Sequence, residues 1–522
     1  MPESTSRKAV LAWVAALLGA LLTAGAWSIA SPAGSSPDDN FHVGTIWCES
    51  VWHSGRCTFQ EQAAGAYGQS WYLVPPEAAF SGSESSTTAP CYIFDSSHSG
   101  DCPLPTGQTR LPINDGLYPP VYYAFAGLFA ADDMNQTVVQ VRLAVSLSVI
   151  LLLAAAYAAS LPWLRPAFLV SVAVGLVPLG LSVIASTNPS GWAVAGVIAS
   201  WPLAVTTLLA ADRRGRITAA ILWLVAAVMA CGSRADAAAY IALISVLATA
   251  VLWKRVSWAS RGMAGLVAVG SAFVLLGSGQ TSNVTSGFLE DVGARSTGLL
   301  VWQAIKGIPG LWFGGTGAPG GPFNTVTNQL AWFDVPIPPA AWIGLLLVIG
   351  ALMFIGIAWL PWPKAVALGG LVLALAALSF YTLLSNKAFP GELVQPRYLL
   401  PLVLTVFGVA LIRPAWNPLH LTGAQAVIAI VFVSMAQALS LHVFMRRFLT
   451  GIDADGPNLA GAPEWWWTSS LSPMLVWLLG ALGWTLVVLV ALWPLYRASG
   501  GAGPAAQPGA RQSSETLARE AL

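Results

Sequence analysis

Long apolar runs alternate with short polar stretches along most of this 522-residue chain. A helix needs roughly 20 apolar residues to cross the hydrocarbon core of a bilayer. Twelve segments meet or approach that length: 8–30, 137–160, 166–186, 191–211, 216–232, 236–253, 262–279, 338–360, 364–384, 398–413, 422–445 and 471–496. Runs so uniformly apolar predict helices, because the strands of a membrane barrel alternate in polarity. A further apolar stretch, LYPPVYYAFAGLFAA at 117–131, is too short to span comfortably. Crossing there would also reverse every later loop. It reads as an interfacial or re-entrant helix with Pro119-Pro120 at its start.

The polar intervals are unequal. Three are long, 31–136, 280–337 and 446–470, and all fall on one side of the twelve-span arrangement. The short loops on the other side carry Arg7, Lys8, Arg165, Arg213, Arg214, Arg216, Lys254, Arg255, Arg261, Lys364 and Arg413. Positive charge marks the cytoplasmic face, so both termini are expected inside and the long segments outside. All acidic residues except Glu3, Asp212, Glu515 and Glu520 then lie outside, which places the chemistry there. The expected organisation is a first transmembrane helix (1–30), an exterior loop with the acidic pair and interfacial helices (31–136), a transmembrane bundle (137–497) and a disordered cytoplasmic tail (498–522).

Composition sharpens this picture. Hydrophobic residues make up 56% of the chain and charged ones 9%, against roughly 25% charged in soluble domains. Mean hydropathy is +0.67. The expected fold is an all-α polytopic bundle whose immediate partner is the lipid bilayer. A net charge of +1 gives no electrostatic footprint for nucleic acid. Ala24-Gly25-Ala26 and Ala30-Ser31-Pro32 are small-residue sites that a signal peptidase could use. The run is long enough to span, however, and is read as an uncleaved helix.

Four of the five cysteines, Cys48, Cys57, Cys91 and Cys102, lie in the first long loop. They suit two disulfides in an oxidising compartment. Four cysteines allow three pairings; nearest neighbours, Cys48–Cys57 and Cys91–Cys102, are the expected ones. Cys231, at a helix end, is expected to be a buried thiol.

The candidate chemistry begins where the chain leaves the first span. Asp38 and Asp39 stand side by side there, with His42 one helical turn on. Deprotonating a sugar hydroxyl needs a positioned carboxylate, and either aspartate could serve as that base. A neighbouring carboxylate can shift its partner's pKa or help to hold a divalent cation, here one bridging Asp39 and a phosphate. A plainer role is helix capping, which Asp performs well. His42 could ligate a metal, although a lone His more often makes an ordinary hydrogen bond.

The outer cations are Arg142, Arg234, Arg295, Lys306, Lys387, Arg397, Arg446 and Arg447. Arg142, Arg234 and Arg397 fall near hydrocarbon boundaries, where an unpaired charge is expensive. Their forked guanidinium groups match phosphate oxygens, with Arg397 the leading candidate. Ion pairing is the competing role, and Arg234 has Asp236 close by. Outer aromatics, among them Trp465-Trp466-Trp467, Tyr118, Tyr122, Tyr123, Trp312 and Trp332, suit an interfacial belt or a sugar-stacking wall. Gly314-Gly315-Thr316-Gly317 lacks the Lys-Ser/Thr ending of a phosphate loop and reads as a flexible outer loop.

Five segments together resemble the DUF2142 family of bacterial membrane proteins: SPDDNFH at 36–42, YPPVYY at 118–123, AWFDVPIPP at 331–339, LVQPRYLLP at 393–401 and SLHVFMRRFLTG at 440–451. The chain has Asp39 where many relatives have Glu, and Pro396 where Gly is common. The family is similar to GT-C glycosyltransferases, and the double Asp resembles that of actinobacterial arabinofuranosyltransferases. The resemblance implies a GT-C-like bundle and an inverting transferase of cell-wall biogenesis in a bacterial membrane. It implies transfer from a polyprenyl-phosphate sugar to an exterior envelope glycan. Asp38 or Asp39 would be the base. Arg397, helped by Arg142 or Arg234, would face the donor phosphate. His42, Tyr118, Tyr122, Tyr123, Trp332, Asp334, Gln395, Tyr398, His442 and Arg446 would contact substrate. The rivals are a flippase for a lipid-linked glycan and a non-catalytic envelope scaffold. A flippase places its charges near the bilayer midplane on broken helices, whereas these charges collect at the outer surface.

Overall fold

The structure is a computed structural model and describes residues 3–61, 70–79, 90–93, 95–103, 107–280, 295–318, 330–392, 394–468 and 470–497. The tail expected to be disordered lies outside the described residues. Sixteen helices are present among those described. In chain order they are α1 (Glu3–Ser28), α2 (Asp39–Cys48), α3 (Pro120–Gly127), α4 (Met134–Ala159), α5 (Arg165–Gly175), α6 (Leu179–Ile184), α7 (Ser190–Leu209) and α8 (Arg213–Cys231). There follow α9 (Ala235–Leu252), α10 (Trp258–Gly277), α11 (Thr297–Phe313), α12 (Pro339–Ile357), α13 (Trp362–Ser385), α14 (Pro396–Ala410), α15 (Gly423–Leu449) and α16 (Pro473–Arg497).

Ten helices among the described residues are long and apolar enough to cross a membrane. The other two expected spans are shorter. Segment 166–186 divides into α5 and α6 around Pro178, whose missing N–H interrupts the backbone ladder. Segment 398–413 becomes the 15-residue α14. The shorter length is tolerated because α14 is enclosed by protein, with nearly every residue buried. It packs against α7, itself buried along almost its whole length. These two helices are the centre of the bundle. At its edge, α1 and α16 meet backbone to backbone: a Cβ on Gly19 would lie 2.3 Å from the Gly483 carbonyl. Small residues at such crossings let transmembrane helices pack closely.

Two loop expectations change. Segment 280–337 contains α11, whose apolar face packs on α13 and α14. The glycine run 314–317 is a buried 3-10 turn with Gly315 beside Leu400, so it is packed rather than a flexible loop. The short apolar stretch after Pro119 is α3, an eight-residue helix with Pro120 in its first turn.

The first long loop also holds a small sheet that helical periodicity did not foretell. Strands β1 (Thr58–Gln60), β2 (Trp71–Val74) and β3 (Thr109–Pro112) are antiparallel in that order, with Phe59 opposite Tyr72 and Tyr72 opposite Leu111. Helix α2 lies directly on β3, since a Cβ on Gly44 would be 2.8 Å from the Pro112 carbonyl. The Cys48–Cys57 disulfide ties the end of α2 to β1, and Cys91–Cys102 closes a second turn region. Cys231 is free and buried. Arg447 of α15 anchors that region: it donates to Asp334 at 2.7 Å and to the carbonyls of His98, Tyr92 and Asp95. One buried guanidinium thereby gathers two loops over the end of the bundle.

Candidate active site

The site forms where α2 begins. Asp38 has φ 62, in the left-handed region, and its side chain makes no capping hydrogen bond. Non-glycine residues adopt this conformation at a cost. Its carbonyl receives the amides of Phe41 and His42, which starts the helix. The capping role is therefore filled by the backbone, and the Asp38 carboxylate is left for other partners.

That carboxylate faces the first turn of α14. Arg397 Nη2 donates to Asp38 Oδ2 at 2.6 Å and to the Tyr398 hydroxyl at 3.1 Å. Arg397 is 3% exposed, and its Nε and Nη1 have no hydrogen-bond partner among the described residues. Buried donors are nearly always satisfied, so two open ones on one guanidinium mark a place for an acceptor. The N-terminus of α14 adds positive potential there. Beside Arg397 lies a narrow cleft lined by Ser36, Pro37, Ser186, Asn188, Ala331 and Phe444, among others. Gln395, the residue just before α14, also has a buried side-chain oxygen without a partner among the described residues.

Asp39 is built differently. It is fully buried and accepts from Arg142 Nη2 at 3.1 Å, from the Ser36 amide at 3.1 Å and from the Thr187 hydroxyl. Arg142 is equally buried and also donates to the carbonyls of Ser28, Ser31 and Pro32 and to Ser35. This pair ties α4 to the turn between α1 and α2. Neither side chain opens on the cleft, and the inward-facing, three-bonded Asp39 carboxylate does not fit a cation bridging it to phosphate. The described residues contain no cluster of three His, Cys, Asp or Glu that could hold a metal.

Around Asp38 the remaining side chains form a cage. His42 is fully buried; its Nδ1 lies 2.7 Å from the Tyr123 hydroxyl, and its Nε2 has no partner among the described residues. Tyr118 stands edge-on to the His42 ring at 5.0 Å. Arg234 lies over the rings of Tyr398 at 4.5 Å and Tyr118 at 5.6 Å. It pairs with Asp236 through two hydrogen bonds, at 2.8 and 2.9 Å, as its sequence neighbourhood suggested. Burial pushes the Asp38 carboxyl up, but Arg397 above all, followed by His42 and Arg234, pulls it down further, and it ends below its ordinary 3.8. Burial above all pushes His42 down to about 3; Asp38 pulls in the other direction, and Arg397 and Arg234 oppose a further positive charge. At neutral pH the cage holds an ionised Asp38 and a neutral His42.

The other expected contacts divide. Tyr122 donates to the Thr187 carbonyl and is fully buried, so it braces the site from behind. Trp332 donates to the Gly34 carbonyl and Asp334 accepts from Arg447, so both hold the segment carrying Ala331 over the cleft. His442 and Arg446 are not brought to the site: His442 meets the Pro457 carbonyl and Arg446 the carbonyls of Gly456 and Asn458. Thr187 and Asn188 were missed by sequence reasoning. Asn188 donates to the Pro37 carbonyl at 2.9 Å, and Thr187 to Asp39. The polar run Ser-Thr-Asn-Pro-Ser at 186–190 was the available signal, in a turn too short to attract notice.

Fold and site together define a multi-span helical membrane protein whose loop-rich face carries a caged carboxylate and an unsatisfied arginine. The family model for DUF2142, a predicted membrane protein, matches residues 21–406, and the chain belongs to that family. Among solved structures, ArnT from Cupriavidus metallidurans, determined bound to undecaprenyl phosphate, is similar at 15% identity and a TM-score of 0.41, over 94% of this chain and 79% of that one. No curated protein matches.

Proposed function

We propose that the protein is a membrane glycosyltransferase of GT-C type that moves a sugar from a polyprenyl-phosphate donor to a hydroxyl of a cell-envelope glycan on the exterior face. The observation that carries this reading is the pairing of an open carboxylate with an arginine that has two unused donors. In the reaction, the acceptor oxygen forms a bond to the anomeric carbon as the bond from that carbon to the phosphate oxygen breaks. The electron pair leaves on the phosphate. The acceptor proton passes to Asp38, and the configuration inverts. Arg397 Nε and Nη1 would meet the charge growing on the leaving oxygen, the moment at which fixed donors help most. Of the two aspartates, the geometry favours Asp38 as base. Of the three arginines it favours Arg397, with Arg234 contributing field rather than contact.

A lipid donor is supported by an apolar groove of about 540 Å³ bordered by α1, α4, α5 and α16, which reaches Trp27, Leu181 and Ile184 on the other side of α6 from the cleft. The exterior assignment rests on the basic short loops. The test is binding of undecaprenyl phosphate to the purified protein in nanodiscs. Arg397→Ala should weaken it about 10- to 100-fold, the loss expected for charged hydrogen bonds. Unchanged binding in that variant would remove the phosphate from this site and leave the flippase or scaffold reading standing.

A further inference from the structure

A second, partly polar cavity, of about 510 Å³, opens beside the cage between the end of α2, the start of α3 and the end of α10. Tyr118 and Tyr123 line it, and they are the same two residues that touch His42. The cavity and the cage therefore share a wall. Most polar groups on the cavity side are already committed. Asn114 donates to the Tyr118 carbonyl and accepts from the Tyr118 amide, and Ser278 donates to the Leu117 carbonyl. Glu49 is the exception. It follows the last residue of α2, and its carboxylate is hydrogen-bonded to Tyr72. An ionised carboxylate has about four acceptor positions, so most remain for a ligand. Its side chain is exposed at the edge of the cavity, where a ligand can reach it. A carboxylate facing aromatic rings in a half-polar hollow suits a sugar. Hydroxyl hydrogens go to the carboxylate, and the C–H face of the ring goes to the aromatics.

We propose that this cavity docks a neutral, hydroxyl-rich sugar unit of the acceptor glycan, with Glu49 as the residue that selects it. The inference rests on the transferase reading and adds the acceptor class and its subsite. Helix α2 then joins both halves of the reaction, with Asp38 immediately before it and Glu49 immediately after it. No anionic acceptor fits, because Glu49 would repel it. The space can be filled without disturbing the fold: a Cβ on Gly277, which lines the cavity, would meet nothing within 4 Å.

The experiment is saturation-transfer NMR on the full chain in nanodiscs, with arabinotetraose and mannotetraose as probes. Undecaprenyl-phosphate binding is measured on the same samples. The wild type should transfer saturation to at least one tetrasaccharide. Glu49→Gln should weaken that binding about tenfold, as a charged acceptor becomes a neutral one. Gly277→Phe should abolish it. Neither variant should change undecaprenyl-phosphate affinity. No signal from either sugar, or an unchanged signal in Gly277→Phe, would overturn the proposal. Sugar binding that persists while undecaprenyl phosphate fails to bind would sink the donor reading alone, so the two failures are distinguishable.

Discussion

Two adjacent aspartates, each paired with a buried arginine, have opposite fates. Asp39 and Arg142 are both 0% exposed, and Asp39 accepts three hydrogen bonds. The Asp38 side chain is 37% exposed, and its partner Arg397 uses one of its three nitrogens among the described residues. The difference starts in the backbone. Asp38 sits in the left-handed region just before α2, whereas Asp39 is the first helical residue, so the two side chains leave the turn in different directions. One pair is nearly complete, with Arg142 Nε alone of the pair's polar atoms lacking a partner among the described residues, and it holds helices together. The other leaves two arginine nitrogens without partners among the described residues, beside a carboxylate that is partly open. Paired charges in a protein interior are weak evidence for function; unmet hydrogen-bonding capacity beside them is better evidence.

The largest effect should come from breaking the more fully bonded pair. Arg142→Met leaves Asp39 as a buried, unpaired charge, which costs about 3–5 kcal/mol. Little monodisperse protein should survive size-exclusion chromatography in detergent. Adding Asp39→Leu should recover part of the loss, because removing both charges also removes the desolvation penalty. A stable, monodisperse Arg142→Met protein would mean that the two pairs do not differ in kind.

Asp38→Asn should do the reverse. The variant should fold and elute like the wild type, since the carboxylate is partly open and makes no cap. Transfer from a polyprenyl-phosphate sugar in membranes should fall about 10²- to 10⁴-fold, the usual contribution of a general base. Asn caps helices about as well as Asp, so a capping role predicts no loss. Wild-type transfer by Asp38→Asn would assign the pair to structure alone.

Much of this contrast was legible in the chain before folding, but not all of it. The spans were legible because a bilayer demands long apolar runs, and the disulfides because the cysteines lie close together in one polar loop. Asp38, Arg397 and His42 stood out as charges at span ends. Their division of labour did not, because nothing in Asp-Asp reveals which residue turns left-handed. Helix α11 was hidden inside a segment read as loop, since Gln303, Lys306 and Pro309 interrupt its apolar run. The small sheet was hidden because its strands have only three or four residues. Arg142 looked like a phosphate ligand until the carbonyls of Ser28, Ser31 and Pro32 surrounded it, a contact between distant segments that no local pattern encodes.

The smallest effect separates the two pairs by pH. His42 belongs to the Asp38 cage, and its folded value of about 3 lies below the ordinary 6.5. Below pH 6.5 the unfolded chain takes up a proton that the folded chain refuses. The stability contributed by neutral His42 is thus complete above pH 6.5 and drains away as pH falls toward 3. Asp38 has the other depressed value, but its contribution is present above 3.8 and is lost only as pH falls through its lower folded value. Between pH 6.5 and 4 the slope from the cage therefore belongs to His42, at most about 1.4 kcal/mol per pH unit. His42→Gln, which can still hydrogen-bond Tyr123, should flatten the fall in melting temperature over that window by a degree or two, read by differential scanning fluorimetry at fixed ionic strength. The same profile bears on the chemistry. With Asp38 ionised down to below 3.8, kcat/KM should show no acid limb near pH 6. A limb there that disappears in His42→Gln would move the general base from Asp38 to His42.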